Sequence, residues 1–151
     1  MIKAIFSISL ALLFFGCNSA PKNKLPQQTN RETVNTMKDY FPFEIMDNGQ
    51  HTIVAALESE DLFPKYYDFF AKHGYEGNGE CWAGHIIQIL EKEDTELLNH
   101  IDFDPEAGGF YAYADSKENQ LRFVNMLAPI FADINKLEGY VKVADRAKID
   151  D

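Results

Sequence analysis

Cys81 and His85 stand four residues apart in Cys81-Trp-Ala-Gly-His85, and a thiol beside an imidazole is a starting point for nucleophilic catalysis. On a helix, that spacing puts both side chains on one face. Catalytic cysteine–histidine pairs normally join separate elements, because side chains one turn apart rarely align for proton transfer. The pair is therefore read as a packing cysteine and a packing histidine. Asp102-Phe-Asp104-Pro-Glu106 alternates acids as a calcium loop does. An EF-hand needs glycine at its sixth position and glutamate at its twelfth. Counted from Asp102, those positions hold Ala107 and Tyr113, so a turn with a solvated acidic face fits better. His51, His73, His85 and His100 show no recognised zinc-ligand spacing and have no second cysteine to support them. His73 reads instead as a cation at a helix C-terminus. Walker A, GxSxG, HExxH and dinucleotide fingerprints are absent. No set of nucleophile, base and orienting group assembles, so the sequence implies no enzyme, no metal and no cofactor.

What must be positioned is a loop, Gly74-Tyr-Glu-Gly-Asn-Gly-Glu-Cys-Trp82, which holds the only tryptophan in the chain. Gly74 follows Lys72 and His73 as a helix-stopping C′ glycine does. Gly77, Asn78 and Gly79 can turn the chain, asparagine being the other residue that tolerates the left-handed region. Trp82 opens the next helix, where its ring would pin the turn against the core. Two readings stand side by side. One is a helix-loop-helix corner with an anchoring tryptophan; the other is a rigid surface loop shaped for a partner.

The N-terminus carries a different kind of chemistry. Lys3 precedes an apolar run from Ala4 to Phe15, and Gly16-Cys17 follows at once. The run is too short for a bilayer span, which takes about 20 apolar residues. A small residue and then cysteine after such a run resembles the bacterial lipoprotein signal, cleaved before a cysteine that receives lipid. Phe14 stands where that signal usually has leucine. The alternative is an ordinary secretory signal with an incidental cysteine. Either way, residues 1–16 belong outside the fold. Asn18 is not the aspartate that favours inner-membrane retention. The expectation is thus an envelope protein, lipid-anchored at Cys17 in the outer membrane and facing the periplasm. With Cys17 lipidated, Cys81 is the one remaining thiol and no internal disulfide can form.

Residues 17–39 read as the lipidated cysteine and a flexible tether, rich in proline, glutamine and asparagine and without sustained periodicity. The domain is placed from Tyr40 to Asp151, long enough to bury its own core. Hydrophobic residues make up 46% of the chain, which argues against disorder. The formal charge of −10 excludes a generic nucleic-acid binder and permits a positively charged partner.

Within the domain, residues 40–46 and 51–56 are predicted strands around an Asp47-Asn48-Gly49 turn. Ser59, Glu60 and Asp61 offer caps and acids for a helix start, with Leu62, Tyr66, Phe69 and Phe70 as its apolar stripe. Trp82, His85, Ile86, Ile89 and Leu90 predict an amphipathic helix from about Glu80 to Lys92, followed by a helical turn over Thr95–Asn99. Residues 101–103 and 109–114 form a second hairpin. Beyond Ser116, the stripe Leu121, Val124, Leu127, Phe131 and Ile134 is helical, with Pro129 expected to kink or split it. The order predicts one α+β domain, with a small, mostly antiparallel sheet and helices packed on one face.

The glycine loop through Trp82, the amphipathic helix after it and Phe103-Asp-Pro-Glu-Ala-Gly-Gly-Phe110 together resemble the immunity protein 51 family of bacterial polymorphic toxin systems. The resemblance runs roughly from Tyr40 to Ile134 and places the family's GxG on Gly77 and Gly79 and its tryptophan on Trp82. It implies an α+β antidote that neutralises a cognate toxin domain by stoichiometric binding. A lipoprotein signal departs from immunity proteins that guard the cytoplasm, so the partner should act in or cross the periplasm. Tyr75, Glu76, Asp104, Glu106, Tyr111 and Tyr113 are the candidate partner-binding residues. The alternative function is a non-catalytic envelope lipoprotein that binds a small ligand or a cell-wall component.

Overall fold

Side-chain alternation on four short strands decides which way the sheet faces. The computed structural model describes residues 40–149; the signal segment, Cys17 and the tether lie outside the described residues. β1 (Glu44–Met46) and β2 (Thr52–Ala56) form one antiparallel hairpin, and β3 (Ile101–Phe103) and β4 (Gly109–Ala114) form another. β2 pairs antiparallel with β4, giving the order β1-β2-β4-β3. Ile53 lies opposite Ala112 and Ala55 opposite Phe110, and all four are buried. The alternate set, Val54 with Tyr111 and Thr52 with Tyr113, points the other way. Tyr111 and Tyr113 are therefore half-buried on the outer face. This is the α+β architecture the order of elements predicts.

The first strand starts later than expected. Residues 40–42 form a turn around a cis Phe41–Pro42 bond, closed by the Phe43 N–H donating to the Tyr40 carbonyl at 2.7 Å. Proline removes a ladder donor, so regular pairing begins at Glu44. His51 is likewise no strand residue: it takes the left-handed conformation at φ 48° and closes the hairpin loop.

Helix α1 (Phe63–Lys72) has Pro64 in its first turn, where a missing N–H costs nothing. Its N-cap is Leu62, without a side-chain cap. Ser59 closes a turn just before it, its Oγ accepting the Leu62 N–H at 3.3 Å. The helix ends as its sequence dictates. Gly74 sits at φ 81°, its N–H donates to the Ala71 carbonyl at 3.0 Å, and the Tyr75 N–H donates to that of Phe70 at 3.0 Å. Those two bonds are the Schellman pattern, and they satisfy carbonyls that the helix end would leave bare.

Asn78 then caps α2 (Gly79–Glu93), its Oδ1 accepting the Cys81 N–H at 2.8 Å. Asn78 is extended, at φ −73° and ψ −179°, rather than the left-handed turn residue its type allows. Gly77 alone in that triplet takes the left-handed region, at φ 74°. The opening turns of α2 are buried all round, from Cys81 to Ile86. This is a central helix rather than an amphipathic one. Trp82 is fully buried and meets Tyr66 and Phe131, each with ring centroids at 4.8 Å.

A 3-10 turn (Thr95–His100) leads to β3, and Ser116 caps α3 (Lys117–Ala132) by accepting the Asn119 N–H at 3.3 Å. The buried face of α3 is Phe123, Val124, Leu127, Ala128 and Phe131, while Leu121 is only half-buried. Pro129 neither splits the helix nor ends it; α3 continues to Ala132. The break falls at Asp133, which is extended and caps α4 (Ile134–Val141) by accepting the Asn135 and Lys136 amides. One lost N–H near the last turn does not end a helix, whereas capping chemistry starts the next one. The C-terminal segment then returns along α2. Gln88 and Asp145 exchange two hydrogen bonds, and Ile149 packs on Gly84 where a Cβ would crowd it at 3.0 Å.

Candidate functional site

The backbone brings the two distinctive stretches of sequence together. The Gly79 N–H donates to the Glu106 carbonyl at 3.1 Å. A Cβ on Gly79 would run into the carbonyl oxygens of both Glu106 and Gly109. Glycine at this position thus serves close approach, since its φ lies outside the left-handed region. Across the turn, Glu106 and Gly109 exchange backbone bonds at 2.9 and 3.2 Å, and the Leu57 N–H donates to Gly108 at 3.1 Å. The glycine loop, the β3–β4 turn and the end of β2 therefore share one seam.

Two adjoining concavities lie along that seam. The first, about 540 Å³, lies between α1 and the glycine loop, with Trp82 and Tyr66 among its walls and Glu58, Glu76 and Asn78 as polar groups. The second, about 510 Å³, lies over the turn and the outer face of β4, lined by Glu58, Asp104, Glu106, Tyr111 and Tyr113 among others. Glu58 borders both, and its carboxylate rests on Gly108, where a Cβ would meet it at 2.9 Å. Neither concavity has a lysine, arginine or histidine among its lining residues. Asn78 donates to Glu76 at 3.3 Å and Tyr113 to Asp104 at 3.4 Å. Desolvation first, then the Asp104 carboxylate, raises the pKa of the Tyr113 hydroxyl.

Phe63 and Tyr67 wall the first concavity on its α1 side. They stack at 4.8 Å with 19° between ring planes and are 47% and 46% exposed, among the largest exposed apolar side chains of the described residues. With Glu58, they are the site residues that sequence reasoning missed. The signal was present, since large aromatics at i and i+4 fall off the stripe of Leu62, Tyr66, Phe69 and Phe70.

The six candidate partner-binding residues all line one or other concavity. Tyr75 does so as a buried wall, 8% exposed, edge-on to His85 at 4.7 Å and covered by the Arg146 guanidinium at 4.3 Å. Cys81 and His85 are both buried, with His85 stacked on Phe70 at 5.3 Å. His73 lies 3.4 Å from Glu138 at the end of α1, and His100 bridges Glu96 and Asp115. Among the described residues, no group of three or more His, Cys, Asp or Glu side chains is placed to hold a metal ion.

Residues 43–146, more than half of the chain, match the family described as immunity protein 51. The chain belongs to the immunity protein 51 family. No curated protein and no solved structure matches it. The match takes in the GxG loop, Trp82 and the β3–β4 turn, the elements that the Gly79–Glu106 seam joins. As an immunity protein 51 member, the chain has a toxin as its implied partner. Among the described residues, no helix is long and apolar enough to cross a membrane.

Proposed function

We propose that this immunity protein neutralises a cognate toxin domain by stoichiometric binding, and that it does so in the cell envelope, tethered by lipid on Cys17. Family membership carries the first part. The acidic and aromatic seam supports binding rather than turnover, because it offers carboxylates, tyrosines and an exposed ring pair without a nucleophile–base set. A basic toxin surface meets such a face with complementary potential, which speeds encounter and disfavours wrong partners. Lys3, the apolar run and Gly16-Cys17 support the anchor.

Co-expression with toxin domains encoded beside the gene, each exported to the periplasm, tests the first part. Equimolar full-length protein should abolish killing. If none of these toxins is neutralised by folded protein, the antidote reading fails and an envelope ligand-binding role replaces it. Fatty-acid labelling tests the anchor. The wild type should incorporate label and fractionate with membranes, and Cys17→Ala should do neither. Equal labelling of Cys17→Ala removes the lipid anchor.

A further inference from the structure

We infer that the concavity between α1 and the glycine loop receives an arginine side chain of the toxin. This inference rests on the antidote reading and adds the chemistry of one contact to it. The cavity, about 540 Å³, is large enough for a long side chain. Its lining combines the carboxylates of Glu58 and Glu76 with the exposed aromatic rings of Phe63 and Tyr67, over the buried Trp82, and includes no cationic residue. The adjoining lobe adds Asp104 and Glu106, again with no cation. Glu58, Glu76, Asp104 and Glu106 outnumber the one cation that flanks the loop, Arg146, so the field over the two lobes favours a positive guest.

Arginine suits this lining better than lysine. A guanidinium is flat, stacks on ring faces and bonds carboxylates through a two-pronged fork, whereas an ammonium is a compact, strongly hydrated point charge. The exposed Phe63–Tyr67 stack supplies ring surface at the wall, and Glu58 supplies a carboxylate between the lobes. The protein already uses the same combination on the flank of this loop. Arg146 lies over the Tyr75 ring at 4.3 Å while its guanidinium donates to the Gly74 carbonyl, and Gly74 and Tyr75 both line the cavity. A stacked cation bonded to an oxygen is thus compatible with the backbone of this loop.

Two measurements on the full chain in detergent decide the matter. In the first, N-acetyl-arginine amide is titrated while fluorescence of Trp82, the only tryptophan, is followed. A saturable change should appear with arginine, should be at least several-fold weaker with the neutral citrulline analogue or the lysine analogue, and should vanish in Glu58→Gln and Tyr67→Ala. No saturable response, or an equal response to citrulline, overturns the inference. In the second, affinity for a neutralised toxin is measured. Glu58→Gln and Tyr67→Ala should each weaken it on the order of tenfold or more, while Val143→Ala, 74% exposed and outside the cavity lining, should not. Both side chains under test are exposed, and thermal melts establish that the variants fold. Wild-type neutralisation with undiminished affinity in both variants overturns the arginine site and leaves the antidote reading standing. Failure of the wild type to neutralise any toxin, with the arginine response intact, overturns the antidote reading and supports the cation preference of the cavity.

Discussion

Gly79 and Glu106 are held backbone to backbone, the amide of one donating to the carbonyl of the other at 3.1 Å, with no room for a Cβ on Gly79. Three local facts converge there. Asn78 starts α2 through its side chain, Gly79 lets the helix start touch the β3–β4 turn, and that turn carries the acids of the second lobe. The shape of the candidate face follows from this contact.

Gly79→Ala should therefore destabilise the domain by about 1–3 kcal/mol or more, because the obstructing atoms are backbone and cannot swing away. Gly139→Ala provides the opposite sign. Gly139 is exposed inside α4 with nothing within 4 Å of a built Cβ, so alanine should stabilise by roughly 0.5–1 kcal/mol. Urea melts of both variants check the pair. Equal effects at the two positions would mean that the seam does not constrain Gly79.

Trp82→Ala should cost about 3–5 kcal/mol, a large share of a typical domain's ~5–15. The ring is fully buried against Tyr66, Phe131, Phe43 and Phe70. Denaturant midpoints matching wild type would show that the core closes over the loss and that Trp82 is no anchor of the fold.

These positions also mark what the sequence could disclose. Gly74 was legible as a helix stop because its neighbours and its conformational freedom are local properties, and both hairpins were legible from turn residues and alternation. The role of Gly79 was not, because its cause is a contact with residues 27 and more positions away in the chain, seen only once the loop meets the turn. Gln120 shows the same limit. Polar by type, it is fully buried on α3, its side-chain amide donating to the Thr52 carbonyl at 2.7 Å and the Met46 carbonyl at 3.2 Å. Reading α3 by hydrophobicity alone placed Leu121 on the buried stripe and passed over Gln120 and Phe123. For the site, residue types in the two motifs pointed to Tyr75, Glu76, Asp104, Glu106, Tyr111 and Tyr113. Glu58, Phe63 and Tyr67 join them through the packing of β2 and α1.

Stability should depend on pH through His100. Its Nδ1 lies 2.6 Å from Asp115 and its Nε2 2.8 Å from Glu96, so carboxylates on both ring nitrogens favour the imidazolium. The hydrogen bonds to Asp115 and then Glu96 raise the histidine pKa above its ordinary 6.5. The hydrogen bonds from Asn119 and then His100 hold the Asp115 pKa down at about 2. A raised histidine pKa contributes stability that is full below the unfolded value and lost as pH rises through the folded one. A depressed aspartate pKa contributes stability above its unfolded value of 3.8, lost as pH falls toward about 2. The Tm gap between wild type and His100→Gln should therefore be widest near pH ~5–6 and shrink on both sides. A gap that stays constant from acid to alkaline pH would show that the bridge contributes nothing through its charge.

The partner's arrival should depend on the charges at the rim of the seam. Asp104 and Glu106 are exposed on the β3–β4 turn, at the rim of a face without cationic lining residues in a chain of net charge −10. Rim charges act mainly on encounter, whereas buried anchors act on dissociation. Asp104→Lys and Glu106→Lys should each slow toxin association by several-fold at low salt. They should change the dissociation rate little and leave thermal stability near wild type. The difference should shrink toward physiological ionic strength, where screening shortens to about 8 Å. Stopped-flow association across a salt series reads this directly. Tyr67→Ala should behave oppositely, leaving association almost unchanged and speeding dissociation, because an aromatic wall acts after contact is made. If Asp104→Lys and Glu106→Lys leave the association rate untouched at every salt concentration, the toxin docks elsewhere and the seam between Gly79 and Glu106 is only a structural joint.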